Sequence, residues 1–267
     1  MNYKITTLVE NCVYGRKLQA EHGLSLYIET AEHKLLFDTG ASDLFISNAR
    51  LLHIDLREVD YLVLSHGHSD HTGGLRHFLE LNTIATVVCK RSIFSPKFKD
   101  DRENGIKHTE TFDLSRFRFI DQWTELLPGV VLFPSIKIED KEDTHFERFF
   151  VQQDDGNKIP DTFEDELAVA LVGDESFSVL SACSHRGITN ILRTIRNAFP
   201  GLPCELLLGG FHIHNAEEQK YHVISDYLQR YMPRQIGVCH CTGVDKYAFF
   251  CKDFGDRVFY NHTGRVI

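Results

Sequence analysis

No apolar run in this chain approaches the ~20 residues that a membrane span needs. The opening residues, Met1-Asn2-Tyr3-Lys4-Ile5-Thr6, lack the charged-then-apolar pattern of a secretory signal. A disulfide framework is missing as well: the seven cysteines are an odd number and are scattered along the chain. That usage suits a reducing compartment, and a cytoplasmic location is expected. Positive charge is scarce, with a net charge of −9 and a pI near 5.9. An acidic chain gains little from the counterion release that drives nucleic-acid binding, so a nucleic-acid partner is not expected. There is no fixed-period repeat, no low-complexity segment and no helical HExxH pair.

What is present is an ordinary globular composition, 42% hydrophobic over 267 residues. Residues 24–28 and 34–37 read as paired strands, and 42–51 as a short helix capped by Ser42. Residues 61–64 form a buried strand, 72–81 a helix and 84–89 another strand. In the C-terminal third, 167–172 and 177–180 form a hairpin. Helices follow at 188–199, 216–231 and 244–251, interleaved with strands at 205–208 and 235–239. Strands followed by helices in both halves suggest two sheets packed face to face with helices outside. Residues 94–115 and 139–166 are polar and aperiodic, and are expected to be lid or insert segments.

The chemistry concentrates in Ser65-His66-Gly67-His68-Ser69-Asp70-His71-Thr72-Gly73-Gly74, which follows the strand 61–64. Imidazole and carboxylate are the ligands that Zn²⁺, Mn²⁺ and Fe²⁺ accept. The end of a buried strand is where open α/β sheets place their sites. The spacing lets His66 and His68 turn to one metal, and Asp70 and His71 to a second. Fifteen histidines is a high count for this length, and several lie beside glycine or cysteine at strand ends.

Four more strand ends carry candidates. Asp38, in Leu36-Phe37-Asp38-Thr39-Gly40, is placed to orient a ligand histidine or a loop through hydrogen bonds. In Ser181-Ala182-Cys183-Ser184-His185-Arg186-Gly187, His185 is the candidate third ligand of the first metal. Cys183 is either a ligand of the second metal or a buried neighbour. The amides of the helix opening at 187–190 could hold an anionic group. His212, after Gly209-Gly210-Phe211, is a candidate acid or substrate contact. His240, in Cys239-His240-Cys241-Thr242-Gly243, is the candidate last ligand of the second metal. Cys239 and Cys241 read as packing residues that point away from His240 if strand alternation holds.

The His66-x-His68-x-Asp70-His71 run with Asp38-Thr39-Gly40 upstream and strand-end histidines downstream resembles the metallo-β-lactamase superfamily over nearly the whole chain. Leu180–Ile191, Leu208-Gly209-Gly210-Phe211-His212 and Cys239-His240-Cys241-Thr242-Gly243 are similar to one branch. That branch includes archaeal dihydropterin–ribofuranosylaminobenzene phosphate synthases. The resemblance implies an α/β (α+β) fold, a four-layer αββα sandwich of two mixed sheets flanked by helices, as a single domain over 1–267. It also implies two divalent metal ions, zinc first, with manganese, iron or magnesium as alternatives. The superfamily's usual separate histidine before the last cluster is not evident: His145 has no strand or glycine context, so that role falls to His185. Cys183 stands where many relatives have a bridging Asp.

The function expected on this basis is a binuclear metal-dependent hydrolase acting on a small anionic substrate through a metal-activated water. Asp70 serves as metal ligand or orienter of that water, and His212 as the acid. Lys97, Lys99 and Arg102 on the lid, and Arg186 beside His185, are candidates for holding a phosphate or carboxylate. One alternative is a transferase that joins a dihydropterin diphosphate to an aminobenzene ribofuranosyl phosphate. The other is a non-catalytic metal-binding or sensor protein. The sequence leaves the oligomeric state open.

Overall fold

Apolar and alternating runs in the first 119 residues make a mixed six-stranded sheet in the computed structural model, which describes residues 3–267. Its strands are β1 (Lys4–Val9), β2 (Ser25–Glu29), β3 (Lys34–Phe37), β4 (Tyr61–Val63), β5 (Thr86–Cys89) and β8 (Phe117–Phe119). β1, β2 and β3 run antiparallel, while β3, β4, β5 and β8 run parallel. Helices α1 (Leu44–Leu51) and α3 (Leu75–Leu81) contribute Phe45, Ala49, Leu75 and Phe78 to a buried cluster with Leu36, Leu62, Leu64 and Val87 of the strands. The edge strand β1 was not foreseen. Its Thr6 and Thr7 are buried, Ile5 and Ile267 exchange two backbone hydrogen bonds, and Thr7 N–H donates to Arg265 O.

The N-cap of α1 differs from expectation. The cap position belongs to Asp43, whose side chain makes no cap bond. Ser42 Oγ instead accepts from Leu44 N–H at 3.1 Å and donates to Glu21 at 2.6 Å.

The two polar excursions are not structureless. β6 (Lys97–Lys99) and β7 (Arg102–Glu103) from the first pair with β11 (Phe149–Gln152) and β12 (Lys158–Pro160) from the second. They form a four-stranded antiparallel sheet in the order β12-β11-β6-β7.

The C-terminal part builds a seven-stranded sheet from β9 (Thr124–Leu127), β10 (Val130–Phe133), β13 (Ala168–Val172), β14 (Phe177–Ser181), β15 (Cys204–Gly209), β16 (Gln235–Val238) and β17 (Val258–Tyr260). β9 to β14 are antiparallel neighbours, and β14 to β17 run parallel. The β13–β14 hairpin closes with Gly173 N–H donating to Ser176 O at 2.8 Å. α4 (Ile188–Ala198) buries Ile188, Ile191, Leu192 and Ile195, an i, i+3, i+4, i+7 stripe, and packs against β14. α5 (Glu218–Arg230) and α6 (Val244–Phe254) complete this part.

The chain divides into two compact units. The first holds the described residues up to Asp121, with Phe146–Asp165 and His262–Ile267; the second holds Gln122–His145 and Glu166–Asn261. Among the described residues, no helix is long and apolar enough to cross a membrane.

Candidate metal centre

In the first unit, β4 delivers Ser65 and His66 into a tight loop, and a short helix α2 (Ser69–Thr72) starts directly after His68. The helix expected at 72–81 begins only at Leu75, and Asp70 and His71 lie in the separate short helix before Gly73-Gly74. His66, His68 and His71 are buried, at 0%, 3% and 0% exposure. The His66 ring centroid lies 4.7 Å from that of His68 and 4.4 Å from that of His71.

Asp38 organises this loop. Its backbone is left-handed, with φ 60°, and it is fully buried. Oδ1 accepts from Ser65 N–H at 2.8 Å, and Oδ2 accepts from Ser65 Oγ at 2.7 Å. His71 Nδ1 stands 2.8 Å from the same Oδ2. Ser65 Oγ is also 2.9 Å from His66 Nδ1. With Nδ1 engaged in both rings, Nε2 is the nitrogen that His66 and His71 offer a metal.

Burial, reinforced by the neighbouring His71 and His68, holds His66 well below the usual histidine range. Burial also lowers His68, against the opposing pull of Asp70. Neutral imidazole is the form that binds metal, so the donor set fits a divalent ion of the zinc, manganese or iron type. Asp70 is half-buried, with Oδ2 3.7 Å from His71 Nε2 and 3.2 Å from His22 Nε2.

Of the expected lid cations, Lys97 is employed elsewhere. It is 3% exposed, and its Nζ donates to Asp161 Oδ2 at 2.5 Å and Asp165 Oδ1 at 2.9 Å. Asp165 Oδ2 accepts from Gly67 N–H at 2.7 Å, between the two histidines of the motif. Lys97 was expected to hold a substrate phosphate or carboxylate from the lid; its ammonium is instead buried and occupied by Asp161 and Asp165. Lys99 Nζ lies 5.3 Å from the Phe149 ring centroid, and Arg102 is exposed on β7.

In the second unit, the loops after β14, β15 and β16 bring the other candidates together. The Cys183 sulfur and ring nitrogens of His185 and His212 lie within 4.8 Å of one another. Cys183, His240 and Cys241 form a second such group. Ser184, His212 and His240 are all left-handed, with φ 55°, 52° and 50°. Glu166 braces the first of these loops, accepting from His185 N–H at 2.6 Å and Arg186 N–H at 2.8 Å. Arg186 Nε donates to Ile136 O at 3.1 Å.

His145 was set aside on sequence, yet it is buried here. Its N–H donates to His185 O at 2.8 Å, and its ring is 5.3 Å from that of His212. The anion site expected at the start of α4 is taken by the chain itself, since Asp143 Oδ2 accepts from Thr189 N–H at 2.8 Å. The only sequence signal for both is the Asp143-x-His145 pair in a charged stretch.

Comparisons with known proteins follow the same lines. A family model described as the metallo-beta-lactamase superfamily matches residues 19–180. The 7,8-dihydropterin-6-methyl-4-(β-D-ribofuranosyl)-aminobenzene-5'-phosphate synthase of Methanocaldococcus jannaschii is 28% identical, over 100% of this chain and 96% of that protein. The crystal structure of Tm1679, described as a metal-dependent hydrolase of the β-lactamase superfamily, superposes with a TM-score of 0.88 at 29% identity, covering 100% of this chain and 98% of that one. The metallo-β-lactamase fold protein YhfI of Bacillus subtilis gives 0.60 at 13% identity, covering 99% and 98%, a likeness of fold alone.

Proposed function

Since this chain belongs to the metallo-β-lactamase superfamily and has its fold, we propose that it is a metal-dependent hydrolase acting on a small anionic substrate. The proposed ligands are His66, His68 and His185 for one ion, and Asp70, His71, His240 and Cys183 for a second. The observation that carries this reading is the Asp38 carboxylate 2.8 Å from His71 Nδ1, shared with Ser65 and through it with His66. A carboxylate behind a buried neutral histidine is the arrangement that orients a metal ligand. The likeness to Tm1679 supports the hydrolase class.

A bound divalent ion supplies a lowered water pKa and positive charge for a developing oxyanion. The chain's own residues do the rest. Asp70, half-buried and held beside His22 and His71, orients the nucleophilic water. His212 stands with its ring 4.2 Å from that of His185 and donates a proton to the leaving group. Lys99, Arg102 and Arg186 are the cations proposed to hold the substrate anion; Lys97 is not among them.

A second reading is the transferase reaction named for the Methanocaldococcus relative, favoured by a match along the full length of both proteins. It requires the same ligands, so substrate turnover separates the two readings. Metal-loaded protein is assayed on phosphoesters and lactones, and on a dihydropterin diphosphate with an aminobenzene ribofuranosyl phosphate. His68→Ala should lose one equivalent of metal and all turnover; full activity in that variant would sink both readings.

A further inference from the structure

Cys241 read as a packing residue because strand alternation points it away from His240. The backbone does something else. Cys239 is extended at φ −157°, but His240 is left-handed at φ 50° and opens a 3₁₀ turn, His240–Thr242. The reversal breaks the alternation and swings Cys241 back toward Cys183. The Cys241 thiol donates to Cys183 O at 3.6 Å. Its sulfur, the Cys183 sulfur and a His240 ring nitrogen fall within 4.8 Å of one another. Cys239 is fully buried and is not among the grouped ligand atoms, and its N–H donates to Gly209 O at 3.1 Å.

The neighbouring loop leaves room for this sulfur. A Cβ at residue 210 would stand 2.5 Å from Cys241 Sγ, so Gly210 is the residue that lets the sulfur sit there. Cys183 and His240 are buried, and Cys241 is half-buried.

We propose that Cys241 is a metal ligand alongside Cys183 and His240, giving that ion two thiolate donors and making its site selective for a thiophilic divalent ion. The proposal deepens the reading above, in which Cys183 and His240 already serve, by adding a ligand and a metal class. Zinc bonds sulfur at about 2.3 Å and imidazole nitrogen at about 2.0–2.1 Å, so ligand atoms around it stand about 3.5 Å apart. Side-chain rotation closes the remaining gap. Thiolate donors favour zinc, cadmium and cobalt over magnesium, which takes oxygen ligands. On ligation each thiol exchanges its S–H bond for a sulfur–metal bond and releases one proton to solvent; no oxidant is needed.

The test is an anaerobic Co²⁺ titration of metal-free, phosphine-reduced protein, reading the thiolate-to-cobalt charge-transfer absorption. The wild type should show the intensity of two thiolates on one ion. Cys241→Ser and Cys183→Ser should each halve it, and Cys239→Ser should leave it unchanged. Cys241→Ala is the second variant, and circular dichroism confirms that each protein is folded. Cd²⁺ should displace the cobalt, whereas Mg²⁺ should not.

Wild-type intensity in folded Cys241→Ser, or no charge-transfer band in the wild type, overturns the proposal. His68→Ala keeps the two failures apart. If that variant stays fully active while the band tracks Cys241, the hydrolase reading fails and the thiolate site stands. If it loses turnover while the band ignores Cys241, only the thiolate assignment fails.

Discussion

Replacing Lys97 by methionine should destabilise the protein severely, because one ammonium neutralises two buried carboxylates. The three side chains are 2%, 5% and 1% exposed for Lys97, Asp161 and Asp165. Burial alone would lower the Lys97 pKa, but Asp165 and Asp161 overcome it and leave it raised. Asp161 is raised by burial, with Lys97 pulling the other way. Removing one partner of such a buried pair costs about 3–5 kcal/mol, because charge is left uncompensated. A single kcal/mol shifts Tm by about 2–4 °C in a domain of 150–250 residues, so Lys97→Met should lower Tm by about 6–20 °C. The damage should reach the metal loop, since the other oxygen of Asp165 holds the Gly67 amide. Thermal unfolding of metal-free protein at neutral pH measures the first effect, and metal competition with a chelator the second. Adding Asp161→Asn to the variant should recover part of the loss. A Tm drop below about 3 °C, or roughly 1 kcal/mol, would refute the burial argument. An effect on KM alone, with Tm unchanged, would return Lys97 to the role of a substrate contact.

Asp38→Ala should weaken metal binding by about 10–100-fold, the usual effect of removing the group that orients a ligand histidine; isothermal titration with Zn²⁺ checks it, and unchanged affinity contradicts the orienting role. Gly67→Ala places a Cβ 2.4 Å from Ile93 O, and should lower stability by about 1–3 kcal/mol with the chain pushed off that carbonyl. A Tm equal to wild type would show that the loop accommodates the methyl group. Burial, the largest cause for both, sets His66 and His68 below their unfolded value of 6.5. Their neutral forms therefore support the metal-free protein fully above pH 6.5, and that stability is lost as pH falls below it. Two protons taken up on unfolding give a limiting slope of about 2.7 kcal/mol per pH unit. A flat Tm of the apoprotein from pH 7.5 to 5 would count against buried neutral rings.

How far the sequence reaches is best seen by comparing His66 with Lys97. The His66–His71 run is local: ligand spacing, the apolar strand before it and the Gly-Gly after it lie within a few residues, and periodicity reads them directly. Lys97 sits in a stretch that looks solvated. Its burial is decided by Asp161 and Asp165, 64 and 68 residues further on, and no local pattern signals that pairing. The same holds for the small sheet. β12 contains Pro160 and is exposed throughout, so it carries no hydrophobic alternation; its place follows from pairing with β11 and from Lys158 Nζ, 3.6 Å from the Phe98 ring centroid. β1, with two buried threonines, hides an edge strand behind polar letters. His145 lacks strand or glycine context because a backbone bond to His185 fixes it. Non-local pairing of polar segments is where single-sequence reasoning ends.

Strand ends explain why the sequence located the site loops yet misread their directions. Asp38, Ser184, His212 and His240 each follow a parallel strand and each adopt the left-handed region at φ 50–60°. Such a residue costs about 1–3 kcal/mol unless its surroundings fix it. Left-handed residues elsewhere, His53 and Asp100, lie in ordinary surface turns, so the conformation alone marks nothing. What distinguishes the four is burial or half-burial combined with chemistry-bearing side chains. A left-handed residue ends the extended run and reverses the next peptide, so alternation no longer says which neighbours share a face. That is why Asp38 curls back onto Ser65 and His71, and why Cys241, two residues beyond Cys239, lies against Cys183. Periodicity counts residues along an unbroken strand, and these loops place their chemistry at the break, as at Asp38, His212 and His240, or one residue past it, as at His185 and Cys241.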